Sequence, residues 1–315
     1  MIALLFPGQG AQAPGMLAPW LELEGAEDRI AAWSSASKLD LRRLGTTADA
    51  EEIKNTAVAQ PLIVALSLLA ADELTRRVDL PPDAPVAGHS VGELAAVAVA
   101  GVLTADEAVA LAAARGQAMA AACAREPTGM SAVLGGDPDD VATALTRLTL
   151  DAANRNGAGQ IVAAGRLDAL AALAAHKPSQ TRVRPLPVAG AFHTRFMAPA
   201  EHSLAEYAAQ FIAKDPARPL LSNADGELVA DGADMLRRLI AQVTRTVRWD
   251  SCMATLRALD VTATIELPPA GTLSGLIRRE RNGTVTLALK APEDLDKVAA
   301  LVCDHSGTAL SGSHA

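Results

Sequence analysis

Aromatic residues and cysteines are scarce in this chain of 315 residues. Phe, Trp and Tyr together make up 3% of it, whereas 50% of the residues are hydrophobic, so the core must consist mainly of Ala, Val and Leu. The three cysteines, Cys123, Cys252 and Cys303, form no Cys-x-x-Cys pair and have no Cys/His metal spacing. The sequence therefore predicts no metal centre and no disulfide framework, and we expect three reduced thiols, as in a cytoplasmic protein.

Clusters of positive charge are also missing. The net charge is −8, the pI is about 5.3, and the longest cationic runs are arginine doublets. Such a chain is a poor nucleic-acid binder, because neutralising phosphates requires local positive charge. The N-terminus lacks the pattern of a signal peptide, and the apolar stretch 94–114 is interrupted by Gly101, Asp106 and Glu107. We expect neither a nucleic acid nor a membrane among its partners.

Short apolar runs alternate with longer helical patterns along most of the chain. Strands are predicted at Ile2–Phe6 and Pro85–Gly88, with helices starting near Val91 and Ala105. Further apolar runs typical of strands lie at 161–164, 183–188, 219–222, 263–267 and 285–289. Strands that alternate with helices predict an α/β fold with a mainly parallel sheet covered on both faces.

The segment from Met130 to Pro187 has a different rhythm. Strand, helix, strand, helix and strand patterns follow one another in under sixty residues, for example "MSAVLGG" before "DPDDVATALTRL". These lengths predict a small α+β layer inserted into the larger sheet.

The motif Gly88-His89-Ser90-Val91-Gly92 fits G-x-S-x-G. A nucleophilic serine on a cramped turn between a strand and a helix needs glycines two residues away on either side. The next residue's N–H and the helix N-terminus can then stabilise an oxyanion. The alternative is that Ser90 caps the helix, with Glu93 completing a capping box. Capping alone leaves the glycines unexplained.

A nucleophilic serine needs a base, and the chain has six histidines. His193 follows an apolar run and precedes a helix, so we expect it at the end of a strand, facing the carboxyl edge of the sheet. His89 is adjacent to Ser90, but on such a turn its side chain points away. No aspartate between Ser90 and His193 is placed as a third triad member. A backbone carbonyl could therefore orient the imidazole.

Arg115 and Gln9 are two further polar residues that could bind a ligand. Arg115 shares the apolar face of a helix with Leu111 and Met119, and a buried guanidinium requires a partner. It could bind a substrate carboxylate in bidentate fashion, pair with an acid such as Glu93, or extend to solvent. Gln9 follows the first strand in a glycine-rich turn and could donate a hydrogen bond to an oxyanion, although such turns are common.

Taken together, these residues resemble the malonyl-CoA:acyl carrier protein transacylase family of fatty acid synthesis, most closely its actinobacterial stand-alone members. The similar motifs occur in the family's order over nearly the whole chain: "FPGQGAQ", "VAQPLIVA", "VAGHSVGE", "ARG", "NGAGQIVAAG", "GAFHT" and "VRW" with "GTLSGL". One departure is Thr246, where proline is frequent, and it concerns no catalytic position.

The resemblance implies an α/β-hydrolase-like core with an inserted ferredoxin-like subdomain. The large subdomain would comprise residues 1–128 and 188–305, and the small one residues 129–187. Residues 306–315 would form a disordered tail.

The resemblance also assigns roles to individual residues. Ser90 would be the nucleophile, His193 its base, and Arg115 the residue that holds the malonyl carboxylate. Gln9 and the Val91 N–H would form the oxyanion hole. The main-chain carbonyl of Gln242 would orient the histidine. Asn156, Phe192 and His89 would line the substrate site. Arg278 and Arg279 would bind CoA or the carrier protein.

The expected function is transfer of malonyl from malonyl-CoA to the phosphopantetheine thiol of acyl carrier protein, by a ping-pong mechanism without metal or other cofactor. Phe192 would crowd a substituent on the malonyl C2 and so favour malonyl over methylmalonyl. The transacylase subunit of a malonate decarboxylase and a polyketide-associated malonyltransferase would use the same chemistry. A serine esterase is a further alternative, which Arg115 and the missing triad aspartate disfavour. A non-catalytic docking module for carrier proteins would form no ester on Ser90.

Overall fold

The computed structural model describes residues 1–280 and 283–306. Its last helix ends at Ser306, and positions 307–315 of the predicted tail lie outside the described residues. The strands are β1 Ile2–Phe6, β2 Val86–Gly88, β3 Thr128–Gly135, β4 Asp151–Gly157, β5 Gln160–Arg166, β6 Thr181–Pro185, β7 Val247–Arg248, β8 Ala263–Glu266 and β9 Val285–Ala288.

Helices separate most of these strands along the chain. They are α1 Ala26–Ser37, α2 Leu41–Thr46, α3 Ala50–Lys54, α4 Thr56–Thr75, α5 Gly92–Val99, α6 Ala105–Cys123, α7 Pro138–Arg147, α8 Leu167–Ala175, α9 Ala198–Ala208, α10 Gly232–Ala241, α11 Trp249–Ala258, α12 Thr272–Glu280 and α13 Leu295–Ser306. Short 3-10 helices lie at Ala18–Glu22, Arg195–Met197, Gln242–Thr244 and Pro292–Asp294.

The first sheet is entirely parallel, in the order β2-β1-β8-β9. Every residue of β1 is buried, as expected for a strand covered on both faces. Phe6, the last residue of β1, is paired with Gly88, the last residue of β2. Because the carboxyl ends of parallel strands meet at one edge, the Gln9 turn and the Ser90 turn lie next to each other. The predicted mainly parallel α/β arrangement is confirmed for this sheet.

The second sheet has the order β6-β3-β5-β4-β7. From Thr128 to Pro185 the elements follow the sequence βαββαβ, and their strand pairs are antiparallel. The short strand β7 joins the edge by pairing in parallel with β4. The sequence predicted only three strands here. It missed β4 because "DAANRNG" is polar, yet Asn154 and Asn156 on this strand are buried.

Helix α4 is the apolar centre of the helical layer. It is long and apolar enough to span a membrane by length and composition, but 83% of that window is buried inside the protein. Its closest helical neighbour is α6, which carries Arg115. Gly116, on α6, lies so close to the Thr56 carbonyl that a Cβ there would be 2.6 Å from it. The close approach of α4 and α6 therefore depends on small residues.

Two expectations about strands are wrong. The run 219–222 forms isolated bridges, Val86 to Leu220 and Leu221 to Leu228, and is not a continuous strand. His193 does not end a strand of the large sheet. It lies in the loop after β6, with a φ of 60°, immediately before the turn into Arg195–Met197.

The turn between β2 and α5 leaves no space for side chains at its two glycines. A Cβ at Gly88 would lie 2.1 Å from the Gly92 carbonyl carbon, and one at Gly92 would lie 2.2 Å from the Phe6 carbonyl oxygen. Both obstacles are backbone atoms, which cannot rotate away. The glycines of the motif are therefore required by the crossing of β1, β2 and α5.

We expect Gly92→Ala to lower the free energy of unfolding by about 2–3 kcal/mol, as overpacking does in a dense core. Gly275→Ala is the matched control, because a Cβ there meets only Arg279 Nη2 at 3.9 Å and alanine favours a helix. Urea unfolding of both variants measures the difference. Equal stability of Gly92→Ala and the wild type would contradict this packing.

Candidate active site

Ser90 lies at the apex of the turn between β2 and α5. Its φ is 54°, a left-handed conformation that is uncommon for a residue with a side chain. Its N–H donates to Asn223 Oδ1 at 2.8 Å, and Asn223 Nδ2 donates to the Gly88 carbonyl at 2.7 Å. Asn223 thus holds both sides of the strained turn.

The alternative that Ser90 and Glu93 form a capping box is wrong. Helix α5 begins at Gly92, its N-cap is Val91, and no side chain caps it. The Glu93 carboxylate instead accepts from the Asn223 N–H and from Gln242 Nε2. The Ser90 hydroxyl therefore remains available to other partners.

The Ser90 hydroxyl is hydrogen-bonded to His193, with 2.7 Å between Oγ and Nε2. The other ring nitrogen, Nδ1, lies 2.7 Å from the main-chain oxygen of Gln242. A carbonyl oxygen can only accept, so Nδ1 carries the proton and Nε2 accepts from Ser90. The structure thus brings the three expected groups into one chain of hydrogen bonds without an aspartate.

The environment of His193 favours the neutral imidazole. Burial, followed by the positive charge of Arg115, lowers the pKa of His193 to about 3. At neutral pH the ring is therefore neutral, and its unprotonated Nε2 can accept the serine proton. The Gln242 carbonyl opposes this shift only in part, because its hydrogen bond favours the charged ring.

Arg115 is 3% exposed and points from α6 into the same site. Its Nη1 donates to Gln60 Oε1 at 2.5 Å, and its Nη2 donates to Gln242 Oε1 at 2.8 Å and to Ser90 Oγ at 3.3 Å. Burial lowers the pKa of Arg115 to about 10, so it stays cationic at neutral pH.

Two of the three options for Arg115 are now wrong. The side chain does not extend to solvent, and none of the ion pairs among residues 1–280 and 283–306 includes it. Glu93 acts on it electrostatically without direct contact. A buried cation held by neutral amides can bind an anion placed next to Ser90.

A cavity of about 430 Å³ opens beside these groups. Ser90, Arg115 and His193 line it together with the expected substrate-site residues His89, Asn156 and Phe192. Phe192 follows Ala191 in the loop that delivers His193, and it is buried. The cavity also contacts Asn154 of β4, so the two sheets share its wall.

His89 has a supporting position within this cavity. Its Nε2 lies 2.9 Å from Asn156 Oδ1, and its ring makes an edge contact with Trp249. Burial lowers the pKa of His89, so its neutral ring donates to the Asn156 amide oxygen. Because it does not contact Ser90 Oγ, His89 holds Asn156 and is not placed as the base.

Gln9 and Val91 lie where the oxyanion hole was expected. Both line the cavity, and the Gln9 Oε1 accepts a short hydrogen bond from Thr56 Oγ1. Because that bond uses Oε1, Nε2 is the side-chain atom of Gln9 that could donate to an oxyanion, and it has no hydrogen-bond acceptor among the described residues. The Val91 N–H, at the start of α5, donates to no acceptor among the described residues, as expected for the first N–H groups of a helix.

The two arginines at the end of α12 diverge. Arg279 lines the cavity and donates from Nε to the Gly275 carbonyl at 3.1 Å. Arg278 instead donates to Thr286 Oγ1 at 3.2 Å and is not among the cavity-lining residues. Both side chains are exposed, but only Arg279 borders the site directly.

The sequence did not predict the part played by two residues of this site, Gln60 and Asn223, or by the side chain of Gln242. Gln60 lies within "VAQPLIVA", and a glutamine in so apolar a helix is a signal of a specific polar contact. Asn223 directly follows the apolar run 219–222, which is a signal for a residue at the edge of a sheet. The side chain of Gln242 was also missed, because only its carbonyl was considered.

The site can now be compared with known proteins. Residues 3–284 match the acyl transferase domain family. The malonyl CoA-acyl carrier protein transacylase of Mycobacterium tuberculosis is 61% identical over 302 residues, which are 96% of this chain and 100% of that protein. The chain belongs to the malonyl-CoA–acyl carrier protein transacylase family. The Bacillus subtilis member is 33% identical over 303 residues, 94% of this chain and 95% of that protein.

Solved structures of this family have the same fold. The crystal structure of the Mycobacterium tuberculosis enzyme superposes with a TM-score of 0.91 at 60% identity, covering 95% of this chain and 99% of that one. The acyl-carrier-protein S-malonyltransferase from Burkholderia pseudomallei gives 0.89 at 30% identity, with the same coverage of both chains. The resemblance drawn from the sequence motifs is confirmed.

The neutral state of His193 predicts a pH effect on stability. The pKa falls from 6.5 in an unperturbed histidine to about 3 here, so between these values the unfolded chain binds a proton that the folded chain does not. Stability is therefore complete above about pH 6.5 and decreases as the pH falls towards 3. His193→Gln should lose less stability than the wild type between about pH 7 and pH 5 in urea unfolding.

The exposed His202 provides the control, since His202→Gln should retain the wild-type dependence on pH. Equal losses in wild type and His193→Gln would show that His193 is not buried in its neutral form.

Proposed function

We propose that this protein transfers the malonyl group from malonyl-CoA to the phosphopantetheine thiol of acyl carrier protein, supplying the extender unit for fatty acid elongation. The observation that supports this most is the buried Arg115 guanidinium, 3.3 Å from Ser90 Oγ. An ester formed on Ser90 from a dicarboxylic acyl group would place its free carboxylate within reach of a fixed cation. The names of the mycobacterial and Bacillus relatives state the same reaction.

The first half-reaction acylates Ser90. Its Oγ attacks the thioester carbonyl of malonyl-CoA while the hydroxyl proton passes to His193 Nε2. The negative charge that develops on the carbonyl oxygen is stabilised by donors at Gln9 and the Val91 N–H. The carbon–sulfur bond then breaks, CoA takes the proton from His193 and leaves as the thiol, and malonyl stays esterified to Ser90.

The second half-reaction reverses these roles. The phosphopantetheine thiol of the carrier protein gives its proton to His193 Nε2, and its sulfur attacks the ester carbonyl. The bond to Ser90 Oγ breaks and the serine recovers the proton. Within each half-reaction the Gln242 carbonyl holds the imidazole and stabilises its transient protonated form. The scheme uses no metal or other cofactor.

The finer architecture belongs to the same proposal. Residues 1–128 and 188–305 form an α/β-hydrolase-like large subdomain, and residues 129–187 form a ferredoxin-like small one. Support for the latter is the βαββαβ order of its antiparallel elements. The protein works in the cytoplasm, without nucleic acid or membrane. Arg279, at the cavity, and Arg278, beside it, suit CoA phosphates or an acidic carrier protein.

Arg115→Ala is the direct test of malonyl recognition. Acyl-enzyme formation from malonyl-CoA should fall by a hundredfold or more, because a charge-assisted hydrogen bond to the carboxylate is worth about 1.5–3 kcal/mol and a bidentate pair exceeds it. Acetyl-CoA has no carboxylate, so its rate should change far less. Arg278→Ala is the matched control and should leave the malonyl-to-acetyl ratio unchanged. Equal losses with both esters would assign Arg115 a purely structural role.

Gln9→Ala tests the oxyanion hole. Loss of one donor costs about 3 kcal/mol, so acylation of Ser90 should slow by roughly a hundredfold, with both acyl-CoA esters affected alike. Thr56→Val removes the partner of Gln9 Oε1, together with a weaker acceptor of Gln60 Nε2 at 3.4 Å, but leaves the Gln9 amide in place and should have a smaller effect. Rapid-quench mass spectrometry measures both rates. A wild-type rate in Gln9→Ala would exclude its side chain as a donor.

A further inference from the structure

Glu93 is a buried acid for which the acyl-transfer scheme has no role. It lies three residues after Ser90, on the first turn of α5, and is 1% exposed. Burial raises the pKa of Glu93 to about 8, whereas hydrogen bonding to Asn223 and the charge of Arg115 lower it. Both Glu93 oxygens face N–H donors, and neither has an acceptor among the described residues that could take a carboxyl proton, so the geometry favours the ionised form. Burying a carboxyl group costs free energy unless hydrogen bonds compensate for the lost hydration.

Both carboxylate oxygens of Glu93 accept hydrogen bonds from nitrogen. Oε1 accepts from the Asn223 N–H, and Oε2 accepts from Gln242 Nε2. Neither partner atom can accept a proton in return. The site is therefore built for an acceptor with two oxygens, and a glutamine at position 93 would place an N–H group against one of these donors.

The Gln242 amide connects Glu93 to Arg115. Its Oε1 accepts from Arg115 Nη2 at 2.8 Å, and its Nε2 faces the Glu93 carboxylate. Because a guanidinium can only donate and a carboxylate can only accept, these two contacts fix which end of the amide faces which. Longer contacts of Nε2 with the Ser90 carbonyl and with Asn223 Oδ1, both at 3.3 Å, favour the same orientation. A neutral side chain thus bridges two buried opposite charges that do not touch.

The orientation of Arg115 depends on few contacts. Apart from Ser90 Oγ, its hydrogen-bond partners within the described part of the chain are the amide oxygens of Gln60 and Gln242. Gln60 holds Nη1, whereas Gln242 holds Nη2, the nitrogen that also reaches Ser90. If the Gln242 amide turned over, Nη2 would face another donor and move away from the serine.

We propose that Glu93 is a positioning residue for malonyl recognition: by holding the Gln242 amide, it keeps the Arg115 guanidinium beside Ser90 Oγ. The inference rests on the proposed function, because the aligned guanidinium is useful only if the acyl group has a free carboxylate. The main-chain carbonyl of Gln242 orients His193 at the same time, so one residue serves both the base and the carboxylate site.

A general structural role for Glu93 would have a different effect. Through the Asn223 N–H it also contacts the residue that holds the Ser90 turn. Disturbing that turn would slow acylation by every acyl group. Disturbing Arg115 would slow malonyl transfer selectively, so the ratio of malonyl to acetyl acylation rates separates the two roles.

The test uses the full-length enzyme and two variants, Glu93→Gln and Gln242→Met. Gln242→Met removes the bridging amide but retains the main-chain carbonyl that binds His193. Acyl-Ser90 formation from malonyl-CoA and from acetyl-CoA is followed by rapid quench and intact mass. We expect the malonyl-to-acetyl ratio to fall at least tenfold in each variant. The malonyl-to-acetyl ratio of the double variant should fall no further, because both changes break the same connection between Glu93 and Arg115.

Glu107→Gln is the matched control. It removes one negative charge from the helix that carries Arg115, at a position outside the cavity, and should leave the ratio unchanged. A wild-type ratio in Glu93→Gln or in Gln242→Met would overturn the inference, as would equal losses with both esters. If Glu93→Gln failed to fold, the ratio in Gln242→Met would decide. A wild-type enzyme that formed no malonyl ester would instead overturn the proposed function.

Discussion

A guanidinium buried beside a serine hydroxyl is the constraint on which the rest of this site depends. Burying a charge without a counter-ion is costly, and among the described residues Arg115 has only amide oxygens and the Ser90 hydroxyl at hydrogen-bond distance. An acyl group with a free carboxylate would complete its coordination. The same charge helps to keep His193 neutral, so the group proposed to bind the carboxylate also lowers the pKa of the proposed base.

Backbone packing and main-chain hydrogen bonds, more than ion pairs, position Ser90 and His193. Glycines at 88 and 92 let β1, β2 and α5 cross closely enough to force Ser90 into a left-handed conformation. The loop after β6 then brings His193 to the serine, and the 3-10 helix that starts at Gln242 presents the carbonyl that orients it. Main-chain groups thus replace the aspartate of a usual triad.

The ordered motifs were sufficient to predict the family, and the alternation of strands and helices was sufficient to predict the parallel sheet. The G-x-S-x-G glycines and a lone arginine on an apolar helix drew attention to Ser90 and Arg115, which line one cavity. The sequence did not predict β4, because its polar residues include two asparagines that are buried in the structure. It also placed His193 at the end of a strand, whereas this residue lies in a loop. The hydrogen bonds that join Ser90 and Glu93 to Asn223 and Gln242 connect residues 130 to 152 positions apart. No local pattern predicts such contacts.

The central claim is that Ser90 carries a malonyl ester during turnover. The most direct measurement is the intact mass of the enzyme mixed with malonyl-CoA, followed by peptide mapping and then by addition of acyl carrier protein bearing phosphopantetheine. We predict one malonyl group on the Ser90 peptide, none in Ser90→Ala, and its loss when the carrier protein becomes malonylated. A carrier protein malonylated at the wild-type rate by Ser90→Ala, or no ester on the wild type, would contradict the account.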